Sequence, residues 1–437
     1  MPLTWHAQSF YRDSLARVER IIRTHPDYPG IYEAAAWVHF REARYKEAID
    51  TAMEDLRRHP VEMACKVHQV VGMSLARLGR FDEAVASLEQ AIEADPAYGK
   101  CYSRLGEIKA MTGQLDEAIG HYVRAIEIMP EYAPALIALG NLYRTAGETE
   151  LAVPTFERVL EINSYDVSAN LALGEMDIER ENYAGAIERL EQLLDWMPEN
   201  TVARTNLGVA WDARGREQAA IDAYATAIRR DPHAVVAIVN LANIHIRKND
   251  LIEAQRVCEE ALPQNAGALR LLIAYHDVVQ RLGQPDRAVN AFERACRLAP
   301  ADPDLQAWTA YALIHAGRLA EAASLPGSSP SGQTELAIPY LTRTLLALHR
   351  DDREAAIQHV DNLLAQDTSA AKDAMDRMLG DLEWFASTHP ESPWPYFLSA
   401  KVLLRQNRGE FAELAVTEFL RLCPSEECRA RAEALLR

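Results

Sequence analysis

Thirteen histidines, six cysteines and 64 acidic side chains are the groups in this 437-residue chain that could ligate a metal, attack a carbonyl or carry a proton. Their spacing assembles none of the familiar machinery. No two cysteines stand as C-x-x-C, and the nearest pair, Cys423-x4-Cys428, lacks the further ligands that a zinc site requires. No GxxxxGK[ST], GxGxxG, HExxH or GxSxG segment occurs, and no EF-hand loop. His25, His59 and His389 each directly precede a proline. There an imidazole can face the last carbonyls of a helix and the negative end of its dipole, so capping explains these three better than metal binding. No pair of carboxylates can be singled out for acid–base work, because nearly all lie on what read as solvated helix faces. The expectation is a chain with no catalytic activity, no cofactor and no metal.

What the chain carries instead is a repeat. "LGRFDEAVASLEQAIEADP" ends at Pro96, "TGQLDEAIGHYVRAIEIMP" at Pro130, "RGREQAAIDAYATAIRRDP" at Pro232 and "LGQPDRAVNAFERACRLAP" at Pro300, all separated by multiples of 34 residues. A 34-residue frame starts at Pro29, Cys65, Gly99, Ala133, Val167, Thr201, Val235, Leu269, Pro303, Ala337 and Pro393, with a first step of 36 and a last of 56. Frame position 20 is alanine in all eleven, from Ala48 to Ala412. Position 8 is glycine or alanine in nine, position 24 often large and apolar, as at Tyr122 and Phe156, and position 32 proline in seven. Cys258 falls on position 24, the place of a small buried hydrophobe.

Each frame holds two stretches with apolar residues at i, i+3, i+4 and i+7, split by a turn that often carries glycine, as at Gly79, Gly113, Gly147, Gly215, Gly283 and Gly317. That pattern predicts helical hairpins. Small residues at positions 8 and 20 let the two helices cross closely, and proline at 32 stops the second. One hairpin cannot bury its apolar face alone, so neighbours must stack into an all-α solenoid.

The Leu-Gly pairs at positions 7 and 8 (Leu105-Gly106, Leu139-Gly140, Leu173-Gly174, Leu207-Gly208), the position-20 alanines and the terminal prolines resemble the tetratricopeptide repeat. The resemblance covers residues 29 to 424 and implies a right-handed superhelix. It also implies that positions 2, 5, 6, 9, 12 and 13 of each first helix line a concave groove that grips peptide segments of partner proteins. The peptide-binding candidates that follow are Lys66, Arg77, Lys100, Arg104, Asn141, Arg144, Asn206, Asn240, Asn243, Arg270, Trp308 and Tyr311. Lys100 and Arg104 match half of the family's carboxylate clamp; Val70, Glu33 and Trp37 depart from the other half. Two readings of the basic end stay open, an acidic-peptide site and cations that balance local carboxylates such as Glu107. Asn206 and Asn240, with Asn243, resemble the start of an asparagine ladder along a peptide backbone. They would be flanked by Asp212, Asp277, Arg247 and Arg270. Trp308, Tyr311 and His315 form a candidate aromatic anchor, with helix packing the competing reading for Trp308.

The divisions expected are a capping helix at 1–28, an array of nine frames at 29–325, a loop at 326–333 built on PGSSPSG, a further frame at 334–368, an extra helix at 369–390 that bends or caps the array, and the last frame with a capping helix at 391–437. The loop reads as a tolerated insertion, or as a hinge or partner-binding loop.

Net charge bounds the partner. A chain of −18 repels phosphate backbones, so no nucleic acid is expected. No stretch of 18 apolar residues occurs, so no membrane insertion is expected either. The N-terminus lacks a basic, then apolar, leader, and six scattered cysteines read as reduced thiols of a cytoplasmic protein. The function expected is a cytoplasmic, non-catalytic scaffold or adaptor. The alternative is a structural or assembly factor acting by self-association, or as the regulatory subunit of an enzyme complex.

Overall fold

The structure, a computed structural model, describes residues 5–61, 63–325, 338–366 and 369–436. Among them there is helix and no strand. Contacts divide the chain into two compact units, Met1–Ala210 and Trp211–Arg437.

The first unit opens with α1 (Trp5–Thr24). Five antiparallel pairs follow: α2 (Ile31–Arg41) with α3 (Tyr45–Arg58), α4 (Ala64–Arg77) with α5 (Phe81–Ala94), α6 (Gly99–Met111) with α7 (Leu115–Ile128), α8 (Ala133–Thr145) with α9 (Thr149–Ile162), and α10 (Val167–Glu179) with α11 (Tyr183–Trp196). The division between units falls within α12 (Thr201–Ala213).

The second unit continues with α13 (Glu217–Arg230), then α14 (Val235–Arg247) with α15 (Leu251–Ala261), α16 (Leu269–Arg281) with α17 (Pro285–Leu298), α18 (Pro303–His315) with the short α19 (Leu319–Ser324), and α20 (Ile338–His349) with α21 (Arg353–Leu364). The long α22 (Ser369–Thr388) precedes α23 (Trp394–Arg405) and α24 (Gly409–Leu422), and α25 (Glu426–Leu436) ends the chain. The expected loop at 326–333 lies outside the described residues.

The repeat code explains the packing. All eleven position-20 alanines are fully buried. A Cβ added at Gly140 would stand 2.8 Å from the Phe156 ring, and one at Gly106 3.0 Å from the Tyr122 ring. In these hairpins position 8 is thus kept bare by the large side chain at position 24. The turns obey one rule. Position 15 of each frame has positive φ, from 55° to 80° across Gly79, Gly113, Gly147, Gly215, Gly283, Gly317 and the five non-glycine residues Ala43, Glu181, Asn249, Asp351 and Asn407. The residue after it donates its N–H back five residues, as Arg80 does to Leu75 at 3.0 Å and Asn182 to Asp177 at 2.7 Å. This is a Schellman ending, which satisfies carbonyls left open at the first helix's C-terminus.

One feature departs from expectation. Cys423 and Cys428 form a disulfide between the end of α24 and the start of α25, with Cα atoms 6.1 Å apart, so these two thiols are not free. The close spacing of the two helix ends brings the sulfurs together. The extra helix α22 packs on α20, α21 and α23, and its Arg377 reaches back to Asp277 on α16.

Candidate functional site

Within each unit, contacts between successive first helices define an inner face. Side chains 30 to 35 residues apart meet there: Arg77 with Glu107, Arg144 with Glu175, Asn206 with Glu175, Arg247 with Asp212 and Gln280 with His315. All stand at frame positions 6, 9, 12 or 13.

In the first unit most of the candidate cations are already engaged on this face. Arg77 lies 3.5 Å from Glu107, and Arg104 donates to the other Glu107 oxygen at 2.9 Å. Arg144 donates to Glu175 at 2.5 Å, and Asn206 donates to the second oxygen of the same carboxylate at 3.1 Å. Glu107 and Glu175, both at position 9, therefore act as bridges. Asn206 is tied into the second bridge rather than free for a peptide backbone. Lys66, exposed on α4, and Lys100, half-buried on α6, make no ion pair among the described residues. Asn141 on α8 is exposed. At the departed clamp positions, Trp37 donates its indole N–H to Glu33 at 2.6 Å, and burial pushes the Glu33 carboxyl up despite that bond and the nearby Lys66.

In the second unit, Asp212 and Arg247 pair at 2.6 Å. Asn240 hydrogen-bonds Tyr224, whose hydroxyl burial pushes well up. Asn243 is half-buried on the same turn of α14, and Arg270 on α16 is exposed.

The proposed aromatic anchor is not open to a partner. Trp308 is 4% exposed and Tyr311 1%. Both are covered by α22: the Arg377 guanidinium lies 5.0 Å over the Trp308 ring, and the Tyr311 hydroxyl donates to Asp381 at 2.6 Å. Arg377 also forks onto Asp277 at 2.8 and 3.1 Å. Partial burial raises the Asp277 carboxyl, but hydrogen bonds from His276 and Arg377 more than offset this and hold it low. A cleft of about 540 Å³ remains between α16, α18 and α22, lined by Asp277, Arg281, Tyr311, Asp376 and Trp384 among others. The sequence placed Trp308 and Tyr311 on the inner face; it did not reveal the chain's own helix lying over them. The readable hint was Arg377, Asp381 and Trp384 at helical spacing opposite the apolar Met375, Met378 and Leu382.

Elsewhere, His59 bridges Asp55 and the Asp27 carbonyl, while His389 approaches the Phe385 carbonyl at 3.3 Å. Cys258 is fully buried, and burial pushes its thiol up to about 12. Among the described residues no three His, Cys, Asp or Glu side chains converge to hold a metal, and no helix is long and apolar enough to cross a membrane.

Sequence profiles described as tetratricopeptide repeat match residues 7–61, 62–131, 100–164, 171–235, 213–274 and 277–326. The chain belongs to the tetratricopeptide-repeat family. Members of this family are protein-interaction scaffolds, and the hairpins described above are its repeats. No curated protein matches this tetratricopeptide-repeat chain. Solved structures similar to it include a tetratricopeptide repeat protein from Parabacteroides merdae (16% identity, 60% of this chain and 98% of that one, TM-score 0.44). PilF from Pseudomonas aeruginosa is similar at 21% identity over 50% of this chain and 98% of its own, TM-score 0.39. YrrB, described as a TPR protein with an unusual peptide-binding site, shares 18% identity over 44% and 97%, TM-score 0.38.

Proposed function

We propose that this tetratricopeptide-repeat chain is a non-catalytic scaffold or adaptor that holds acidic peptide segments of a partner protein on the inner face of its first unit. The observation that carries this reading is the pair Lys66 and Lys100. They occupy position 2 of successive first helices, and neither makes an ion pair among the described residues, on a face where Arg77, Arg104 and Arg144 all do. Unpaired ammonium groups in adjacent repeats favour a guest with two or more carboxylates, while the exposed Asn141 amide offers a donor and an acceptor to its backbone. The doubly reversed variant Lys66→Glu/Lys100→Glu should lose capture of such a partner from extract, with bound proteins identified by mass spectrometry. Equal recovery by the variant and the native chain would overturn the reading. The Arg104→Glu variant should do less, because that cation already serves Glu107.

A second reading, self-association, is favoured by α24. There Phe411 and Leu414 are 54% and 65% exposed on one helical face. Neighbouring apolar side chains left in water mark a contact surface. Light scattering across a concentration series tests it: a constant molar mass would exclude this surface as a dimer contact.

A further inference from the structure

Three histidines lie beneath α22, one each from α16, α18 and α20, and a fourth, His389, directly follows it. The His276 ring on α16 lies 5.5 Å from that of His315 on α18. His315 packs 4.7 Å from Trp384 of α22. His349 on α20 lies 6.2 Å from Trp384, 4.8 Å from Phe385 and 5.2 Å from His389, which follows α22. In this zone the polar atoms are unevenly matched. His276 Nε2, Gln280 Oε1, Trp308 Nε1, His315 Nε2 and Asp381 Oδ2 are buried without a hydrogen-bond partner. His315 Nε2 stands 3.4 Å from Asp381 Oδ1 without making one. A buried network only partly satisfied loses free energy at each orphan atom, so the docked helix is held more weakly than its buried area suggests.

We infer that α22 is a releasable occupant of the inner face of the second unit, latched by Arg377 and freed by protonation of His276 and His349 beneath it, which uncovers Trp308 and Tyr311. This goes beyond the peptide-binding reading, which rests on the first unit, and its test needs no partner.

The charges facing the histidines set the direction. His276 meets Asp277 on its own helix at 3.2 Å, His315 on α18 and Arg377 on α22. His315 meets Asp381 on α22, and Tyr311 stays a donor because burial pushes its hydroxyl far up. His349 bonds the Leu345 carbonyl at 2.8 Å on α20 and faces His389. Asp373, Asp376 and Arg281 lie on the cleft walls. Burial, together with His315 and Arg377, outweighs Asp277 and holds His276 below its ordinary 6.5; burial, His389 and His315 do the same to His349. Release of the helix removes Arg377 from His276 and Trp384, Phe385 and His389 from His349, so both move back toward the ordinary range. The docked form therefore binds fewer protons than the released one. Its stability is complete above about 6.5 and falls as the pH drops below that value.

Hydrogen exchange of the full chain, read by mass spectrometry and corrected for intrinsic rates, tests this at about pH 7.5 and about pH 5.5. Peptides from α22 should lose protection at the lower pH, by up to about tenfold for each of the two histidines, while peptides from α10 and α11 hold theirs. The His276→Gln/His349→Gln variant should keep α22 equally protected at both. Arg377→Gln should expose α22 already at the higher pH, since its two bonds to Asp277 and its seat on Trp308 are lost together. Protection of α22 that ignores pH in the native chain, an acid loss undiminished in the histidine variant, or an Arg377→Gln chain with α22 as protected as before would each overturn the inference.

Discussion

Replacing Gly140 by alanine isolates the close contact between the two helices of one hairpin, α8 and α9. The new Cβ would stand 2.8 Å from Phe156 Cζ and 2.9 and 3.0 Å from the two neighbouring ring carbons. Carbon atoms rest at about 3.5–4.0 Å, so the overlap is at least roughly 0.7 Å. Phe156 is fully buried, and its ring is rigid, so α8 and α9 must part. Overpacking of this kind costs about 1–3 kcal/mol, and the better helix propensity of alanine returns at most about 1 kcal/mol. The expected net loss is about 1–2 kcal/mol. Gly120, in the middle of α7, supplies the control, because a Cβ there meets nothing within 4 Å. Gly120→Ala should gain about 0.5–1 kcal/mol. One substitution in two helices of the same unit thus carries opposite signs. Urea unfolding followed by far-ultraviolet circular dichroism reads both, and Gly140→Ala/Phe156→Leu should recover part of the loss. A Gly140→Ala protein as stable as the native chain would refute the reasoning, as would a destabilised Gly120→Ala.

Other outcomes follow from the same geometry. Glu181→Gly should stabilise and Gly147→Ala destabilise by about 1 kcal/mol each, measured by urea midpoint, because both residues hold the left-handed turn that glycine adopts without penalty. Asp55 is fully buried and accepts from the N–H groups of Gly30 and Glu33 at the start of α2 and from His59. Asp55→Ala strands those donors and should cost about 2–3 kcal/mol, with α2 the first helix to lose hydrogen-exchange protection. Asp302 caps α18 by accepting from Asp304 and Leu305, and Asp302→Ala should cost about 1 kcal/mol by thermal unfolding. Reduction of Cys423–Cys428 should loosen α25 by about 2 kcal/mol while leaving helices of the first unit as protected as before; hydrogen exchange with and without reductant checks this.

The solenoid was legible because its determinants are local. A position-20 alanine, a position-8 glycine and a turn at position 15 act within one hairpin, and the same three tests repeat down the chain. Even the turns without glycine kept the rule: Glu181 and Asp351 accept positive φ because the two helices they join fix the backbone around them. The site was less legible because its contacts join different repeats. Nothing in the spacing of Arg104 says that Glu107 also receives Arg77 across a hairpin boundary. In retrospect, a carboxylate at position 9 following a cation at position 12 or 13 of the preceding frame is a readable sign of such a bridge. The placement of α22 was hidden for a different reason. Its apolar residues show that one side is buried, but the bond that locates it joins Arg377 to Asp277, one hundred residues away.

The helix α22 also sets terms for competitors. Being covalently attached, it presents itself to α16, α18 and α20 at an effective concentration on the order of millimolar, whatever the amount of protein in solution. A free partner at micromolar level must then bind that surface on the order of a thousandfold more tightly than α22 does before it occupies half the molecules. The tether therefore screens guests by affinity: weak helices of similar face are turned away, and a guest joined to the chain by a second contact gains entry without improving its fit.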